Sequence, residues 1–147
     1  SIFMSSVSIY LNFAKETEEA FLFYETVFGT KISEINRFGE MPPQEGAPAI
    51  PDEVKNLVMH ASMPIVGGHV LMSSDAPESF GFELNKGNNM HIMLNTESRE
   101  ETKRIFDALK QGGVVGQELQ DTFWGAYYGS LTDKFGIQWM FNCIEKK

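Results

Sequence analysis

The chain carries one pattern of apolar, polar and glycine residues twice, at fixed spacing. Phe23 and Phe106 are 83 residues apart, as are Gly29 and Gly112. In the closing hairpins Gly68 and Gly136 are 68 apart, and so are Met72 and Met140. Each copy holds strand and helix periodicities in the same order, so the chain must fold as two versions of one supersecondary unit.

In the first copy Val7, Ile9, Leu11 and Phe13 alternate with Ser8, Tyr10 and Asn12, the period of a half-buried strand. Thr17 is the expected helix N-cap, with Glu18 and Glu19 in the first turn where the helix dipole favours them. Ala20, Phe23, Tyr24, Val27 and Phe28 recur at helical spacing, and Gly29 supplies the stop. Strands are expected over 31–38, 56–63 and 69–74, the last after the Gly67-Gly68 turn. The second copy repeats this. A strand is expected over 91–96, then a helix opened by a Ser98/Glu101 capping box and ended by Gly112-Gly113. Its apolar stripe is Ile105, Phe106 and Leu109, and strands over 114–120, 126–131 and 137–144 follow. The stretch 39–52 holds Pro42, Pro43, Pro48 and Pro51, which excludes an interior strand and leaves a solvated connector or a lid.

Composition narrows the function classes. A length of 147 residues supports one domain with one sizeable core. A formal net charge of -8 argues against binding a phosphate backbone, so no nucleic-acid partner is expected. No apolar run approaches the roughly 18 residues that span a bilayer, and no leader pattern opens the chain. Neither a membrane partner nor export is expected. The single cysteine, Cys143, permits no internal disulfide and sits in an apolar run as a buried thiol, which suits a cytoplasmic location. No G-x-G, G-x-S-x-G or cysteine nucleophile beside a base occurs, so dinucleotide, phosphate-loop and serine-hydrolase chemistry find no support.

Four segments stand in a recognisable order: Ala20-Phe21-Leu22-Phe23-Tyr24 before Val27-Phe28-Gly29; Met90-His91-Ile92; Gln120-Asp121-Thr122-Phe123-Trp124-Gly125; and Thr132-Asp133-Lys134-Phe135-Gly136 before Trp139. With them the chain resembles the PhnB-like branch of the vicinal oxygen chelate superfamily, the group of glyoxalase I, bleomycin-resistance proteins and extradiol dioxygenases. The resemblance covers nearly the whole chain. It implies an α+β fold, a single domain over 1–147, made of two βαβββ modules (about 5–75 and about 88–145) related by a pseudo-twofold. Their sheets would curl into one cup with the helices outside, Ser8 and His91 lying on equivalent central strands. It also implies a homodimer, for which the aromatics Phe80, Phe82, Phe123, Trp124, Tyr127 and Tyr128 offer apolar surface.

Metal-dependent members of that superfamily bind a divalent cation through four cup-lining residues, usually His and Glu, which the resemblance carries onto Ser8, Met72, His91 and Met140. Only His91 matches. A hydroxyl is a weak ligand and thioethers suit soft ions, so no conventional cofactor metal is expected, with His91 as the ligand if one binds. His91 and His60 are the candidate acid/base residues. Ser8, Tyr10, Met72, Phe123, Trp124 and Met140 are the candidate ligand-binding residues, and Asp121 and Asp133 read as turn residues.

The expected function is binding of a small organic molecule in the cup, without a conventional metal centre. The alternatives are a metal-dependent lyase or isomerase of glyoxalase type using His91, and an antibiotic-sequestering protein whose acidic groove between protomers takes a cationic aromatic ligand. Members of this branch are sometimes labelled demethylubiquinone methyltransferases, but the chain has no glycine-rich methyl-donor motif and that label is not expected to apply.

Overall fold

A computed structural model describes residues 4–145. Its described residues divide into two units, one of residues 4–25 together with 29–84, the other of 26–28 together with 85–145. Each unit is built on a four-stranded mixed sheet and a helix, in the order strand, helix, three strands. The fold class is α+β.

In the first unit β1 (Ile9–Phe13) leads to α1 (Thr17–Phe28), then β2 (Glu34–Arg37), β3 (Val58–Pro64) and β4 (Val70–Asp75). The sheet order is β1-β4-β3-β2, with β1 parallel to β4 and the other pairs antiparallel. β1 therefore lies at the end of its own four-stranded sheet, and Ser8, expected on that strand, falls one residue ahead of it. Val7 and Ser8 stay exposed ahead of it, because pairing with β4 begins only at Ile9, opposite Leu71.

Helix α1 shows how distant residues take over a local role. Thr17 is the first helical residue rather than the N-cap, and Glu16 at the cap position makes no side-chain cap bond. The Thr17 amide instead donates to Asp75 Oδ1 at 2.9 Å, and its hydroxyl bonds Ser73 Oγ at 2.8 Å. The buried Asp75 carboxylate also accepts the Val58 amide at 2.8 Å through its other oxygen. One side chain thus satisfies the open N-terminus of α1 and the first amide of β3. Ala20, Phe21, Tyr24 and Val27 form the buried stripe, and Gly29 ends the helix at φ 68 as expected. Nothing crowds a Cβ there, so its requirement for glycine is the left-handed backbone alone. In the first turn Arg37 donates twice to Glu18, at 3.0 and 2.7 Å, and this bonding holds the Glu18 carboxyl below its usual range. That stabilisation is present above the ordinary glutamate pKa and is lost as pH falls through the lowered value. Both groups are partly exposed, so it is worth less than about 1 kcal/mol.

The connector after β2 makes a short turn over Phe38–Glu40 and reaches α2 (Asp52–Lys55). Residues 42–49 are all exposed and belong to no regular element, in keeping with a solvated connector.

The second unit holds β5 (Ile92–Thr96), α3 (Arg99–Leu109), β6 (Val114–Asp121), β7 (Tyr127–Thr132) and β8 (Gln138–Cys143), in the sheet order β5-β8-β7-β6. The capping box forms as expected, with one adjustment. Ser98 Oγ accepts the Glu101 amide at 3.0 Å, while Glu101 reaches back one residue further, to the amide of Glu97 at 3.2 Å. Thr102, Ile105, Phe106 and Leu109 are buried, and Phe106 meets Phe141 edge-on at 5.2 Å. After the helix a Cβ on Gly113 would lie 2.3 Å from the Thr132 carbonyl oxygen, so only glycine lets the chain turn so close to β7.

The two sheets share one register. Met72 lies opposite Tyr10 and Ser62, and Met140 opposite Met93 and Ser130. These are the partners that the two sequence offsets demand, so the repeat is structural at the level of single residues.

Candidate site on the open faces of the two sheets

Strand alternation sorts each sheet into two faces. In the first unit Leu11, Phe13, Ala61, Met63, Leu71, Ser73 and Asp75 are buried on one face. The opposite face carries a row of Tyr10, Met72, Ser62 and Glu34, and beside it a row of Asn12, Ser74, His60 and Asn36. It is more open to solvent: Tyr10 is 46% exposed, and His60, Met72 and Ser74 are half-buried.

On this face three polar side chains converge. Tyr10 Oη bonds both Ser74 Oγ and His60 Nδ1, the latter at 3.2 Å, and Ser74 Oγ donates to the Met59 carbonyl at 2.7 Å. The Tyr10 and His60 rings lie 5.8 Å apart, tilted by 35°. The convergence follows from the sheet itself. The register shifts between Asn36 and Arg37 where β2 meets β3, and the β3–β4 pairing starts only at Ala61, opposite Ser73. Where that ladder ends, Ser74 and Asp75 bond the backbone of Met59 and Val58 with their side chains. His60 is thereby held over the place where β1 delivers Tyr10. Met72, beside Tyr10, adds an apolar flank.

In the second unit the corresponding face carries Met93, Met140, Ser130 and Gln117, then Asn95, Asn142, Tyr128 and Gln120. Asn142 donates to Asn95 Oδ1 at 3.2 Å. His91 is exposed, one residue ahead of β5, and next to it Gln138 donates to the Met90 carbonyl at 2.6 Å. Phe123 and Trp124 stand on the β6–β7 turn, 98% and 60% exposed, their rings 5.0 Å apart, with Tyr128 6.3 Å from Trp124. These rings project from the turn; they do not plug the end of the sheet.

Of the sequence candidates, Tyr10, His60 and Met72 come together on one face, with Ser8 exposed just ahead of β1. His91, Met140, Phe123 and Trp124 belong to the other unit. Ser74 is the residue that sequence reasoning missed. It sits two residues after Met72 on the same strand face, a placement that period-2 counting alone makes visible. Arg99 is a second omission. Its guanidinium lies 3.9 Å over the Tyr127 ring and donates to both Asp121 oxygens, at 2.7 and 3.1 Å. That bonding raises the Arg99 pKa and ties the start of α3 to β6 and β7, which makes Asp121 a structural anchor. The third histidine, His69, accepts the Ile9 amide at 3.3 Å through Nε2 and so closes the start of the β1–β4 pairing.

The residues fit a hard divalent cation poorly. Among the described residues no group of three His, Cys, Asp or Glu side chains is placed to hold a metal ion. The four positions that the resemblance points to offer one imidazole, one hydroxyl and two thioethers, a set that Zn, Mn or Mg does not favour. No described helix is long and apolar enough to cross a membrane.

Comparison with known proteins agrees with this architecture. The sequence model of the Glyoxalase/Bleomycin resistance protein/Dioxygenase superfamily matches residues 9–141. Protein YjdN of Escherichia coli (strain K12) is 32% identical over 150 residues, covering 96% of this chain and 97% of its own. Among solved structures, protein PA1353 of Pseudomonas aeruginosa superposes with a TM-score of 0.82 at 34% identity, over 97% of this chain and 100% of that one. A PhnB protein of Bacillus cereus, described as a putative 3-demethylubiquinone-9 3-methyltransferase, gives 0.71 at 25% identity, over 95% of this chain and 99% of that one. The chain belongs to the glyoxalase/bleomycin-resistance/dioxygenase superfamily, in its PhnB-like branch.

Proposed function

We propose that this protein binds a small organic molecule on the open face of its first sheet, through Tyr10, His60 and Ser74 with Met72 beside them, and without a conventional divalent metal. The observation that carries the reading is the convergence of Tyr10, Ser74 and His60 on a half-exposed face with an apolar flank. Few precisely placed polar groups among apolar and aromatic ones is the composition of a small-molecule site. The metal-dependent lyase or isomerase reading ranks lower because it needs ligands that Ser8, Met72 and Met140 do not supply. The methyltransferase in the Bacillus neighbour's description is not carried over, since it would require a methyl-donor site for which the sequence offers no motif. The drug-sequestering reading differs in both ligand and place, since it puts a cationic aromatic ligand in an acidic groove between two protomers.

A panel of small aromatic and carbonyl compounds, followed through the methionine methyl resonances, tests the reading. A binder is expected to move the Met72 methyl, and His60→Ala is expected to weaken that binder by about tenfold, the worth of one hydrogen bond of about 1.4 kcal/mol. Binders that leave Met72 and His60 undisturbed would place the site elsewhere.

We further propose that the chain forms a homodimer. Phe80 and Phe82 in the first unit are 39% and 51% exposed, and Phe123 and Trp124 in the second are more so. Neighbouring rings left in water favour burial against a second copy. Light scattering coupled to size exclusion is expected to give twice the chain mass at micromolar concentration; the mass of a single chain would reject the dimer.

A further inference from the structure

The hydrogen-bond chain on the first sheet has a direction, and one end fixes it. The Met59 carbonyl has no proton to give, so Ser74 Oγ donates to it at 2.7 Å. Ser74 has a single hydroxyl proton, so in its bond with Tyr10 it accepts and the phenol donates. The one phenolic proton is then committed. The 3.2 Å contact between Tyr10 Oη and His60 Nδ1 is completed only by a proton on that nitrogen. Any other arrangement leaves one of the three contacts without a proton. A neutral imidazole carries one N–H, so the lone pair is on Nε2, which no described residue bonds.

We infer that His60 is held in its Nδ1–H tautomer and presents Nε2 as a hydrogen-bond acceptor, so that the ligand of this face carries an O–H or N–H donor on a flat, apolar body. This rests on the reading of the face as a ligand site. The body is expected to lie across the Tyr10 ring and Met72, which are cross-strand partners and so form one continuous surface. Ser74 acts here as a positioning residue, the Tyr10 hydroxyl positions His60 while its ring meets the ligand's body, and only His60 reads the ligand's donor.

A two-bond proton–nitrogen correlation spectrum of the imidazoles, recorded where they are neutral, tests the tautomer directly. Wild type is expected to show His60 as Nδ1–H. Tyr10→Phe removes the acceptor for that proton. Ser74→Ala frees the Tyr10 proton to be donated to Nδ1. Both are expected to move His60 toward Nε2–H, and two independent substitutions guard against one that perturbs the fold. Phenol and its methyl ether, anisole, then serve as probes that differ only in the donor. Phenol is expected to move the Nε2 resonance saturably and anisole to leave it in place. An Nε2–H tautomer in wild type, a tautomer indifferent to both substitutions, or equal responses of Nε2 to the two probes would overturn the inference. Movement of the Met72 methyl by either probe alongside any of those results would leave the face standing as a binding site. Silence of Met72 toward both probes would reject the binding face itself.

Discussion

Asp133→Ala is expected to destabilise the protein by about 3–5 kcal/mol, read as a lower denaturant midpoint at unchanged slope. The residue is 3% exposed, and its carboxylate gathers three donors of the last hairpin. Its Oδ1 accepts the amides of Phe135 at 2.8 Å and Ile137 at 3.0 Å, and its Oδ2 accepts Trp139 Nε1 at 2.9 Å. Trp139 is fully buried, so its indole N–H has no water to turn to, and a buried donor left unpaired costs about 1–3 kcal/mol. The two turn amides lose charge-assisted bonds but lie beside the exposed Lys134 and Gly136, where water replaces part of the loss. Asp133→Asn keeps an oxygen for the turn amides and sets an amide against the indole N–H, so it should lose less. A loss below about 1 kcal/mol for the alanine variant would show that the hairpin holds by packing rather than by this carboxylate.

Asp75→Ala is expected to cost about 2–4 kcal/mol by the same logic in the first unit, at the end of β4. Asp75 is 3% exposed and holds the Thr17 and Val58 amides, one on each oxygen. Helix α1 has no side-chain cap of its own, so this carboxylate is its cap and faces the positive end of its dipole. Hydrogen exchange gives the local readout. The Thr17 and Val58 amides should lose protection in the variant well beyond the loss at Leu71, which lies at the other end of β4. Retained protection at both amides would mean that α1 is held by its buried stripe alone.

How much of this the sequence discloses depends on the range of the interaction. The repeat is legible because both copies obey the same register, and Met72 and Met140 meet equivalent partners in the two sheets. The Gly29 stop and the Ser98 cap are legible because both are local, one a positive φ and the other a bond across three residues. The role of Thr17 is not legible for the opposite reason: a carboxylate 58 positions away takes the capping role, and no local pattern announces it. Alternation gives the faces of β1 and not its position at the end of a four-stranded sheet, which depends on pairing with β4, 57 or more residues away. Tyr10, His60 and Met72 were named as separate candidates from alternation and resemblance. Their union with Ser74 depends on the register shift in β2–β3 and on where the β3–β4 ladder ends, which emerge only from the folded sheet. His91 falls one residue before its strand, since the pairing of β5 with β8 starts at Ile92.

The proposed function requires side chains alone to serve where metal-dependent members of the superfamily use a cation. Elemental analysis by plasma mass spectrometry, on protein purified without chelators from metal-replete cells, tests it most directly. Below about a tenth of an equivalent of Zn, Ni, Mn or Fe per chain is expected, because one imidazole, one hydroxyl and two thioethers do not compete for these ions. Close to one equivalent of any of them, retained through gel filtration and lost in His91→Ala, would contradict it.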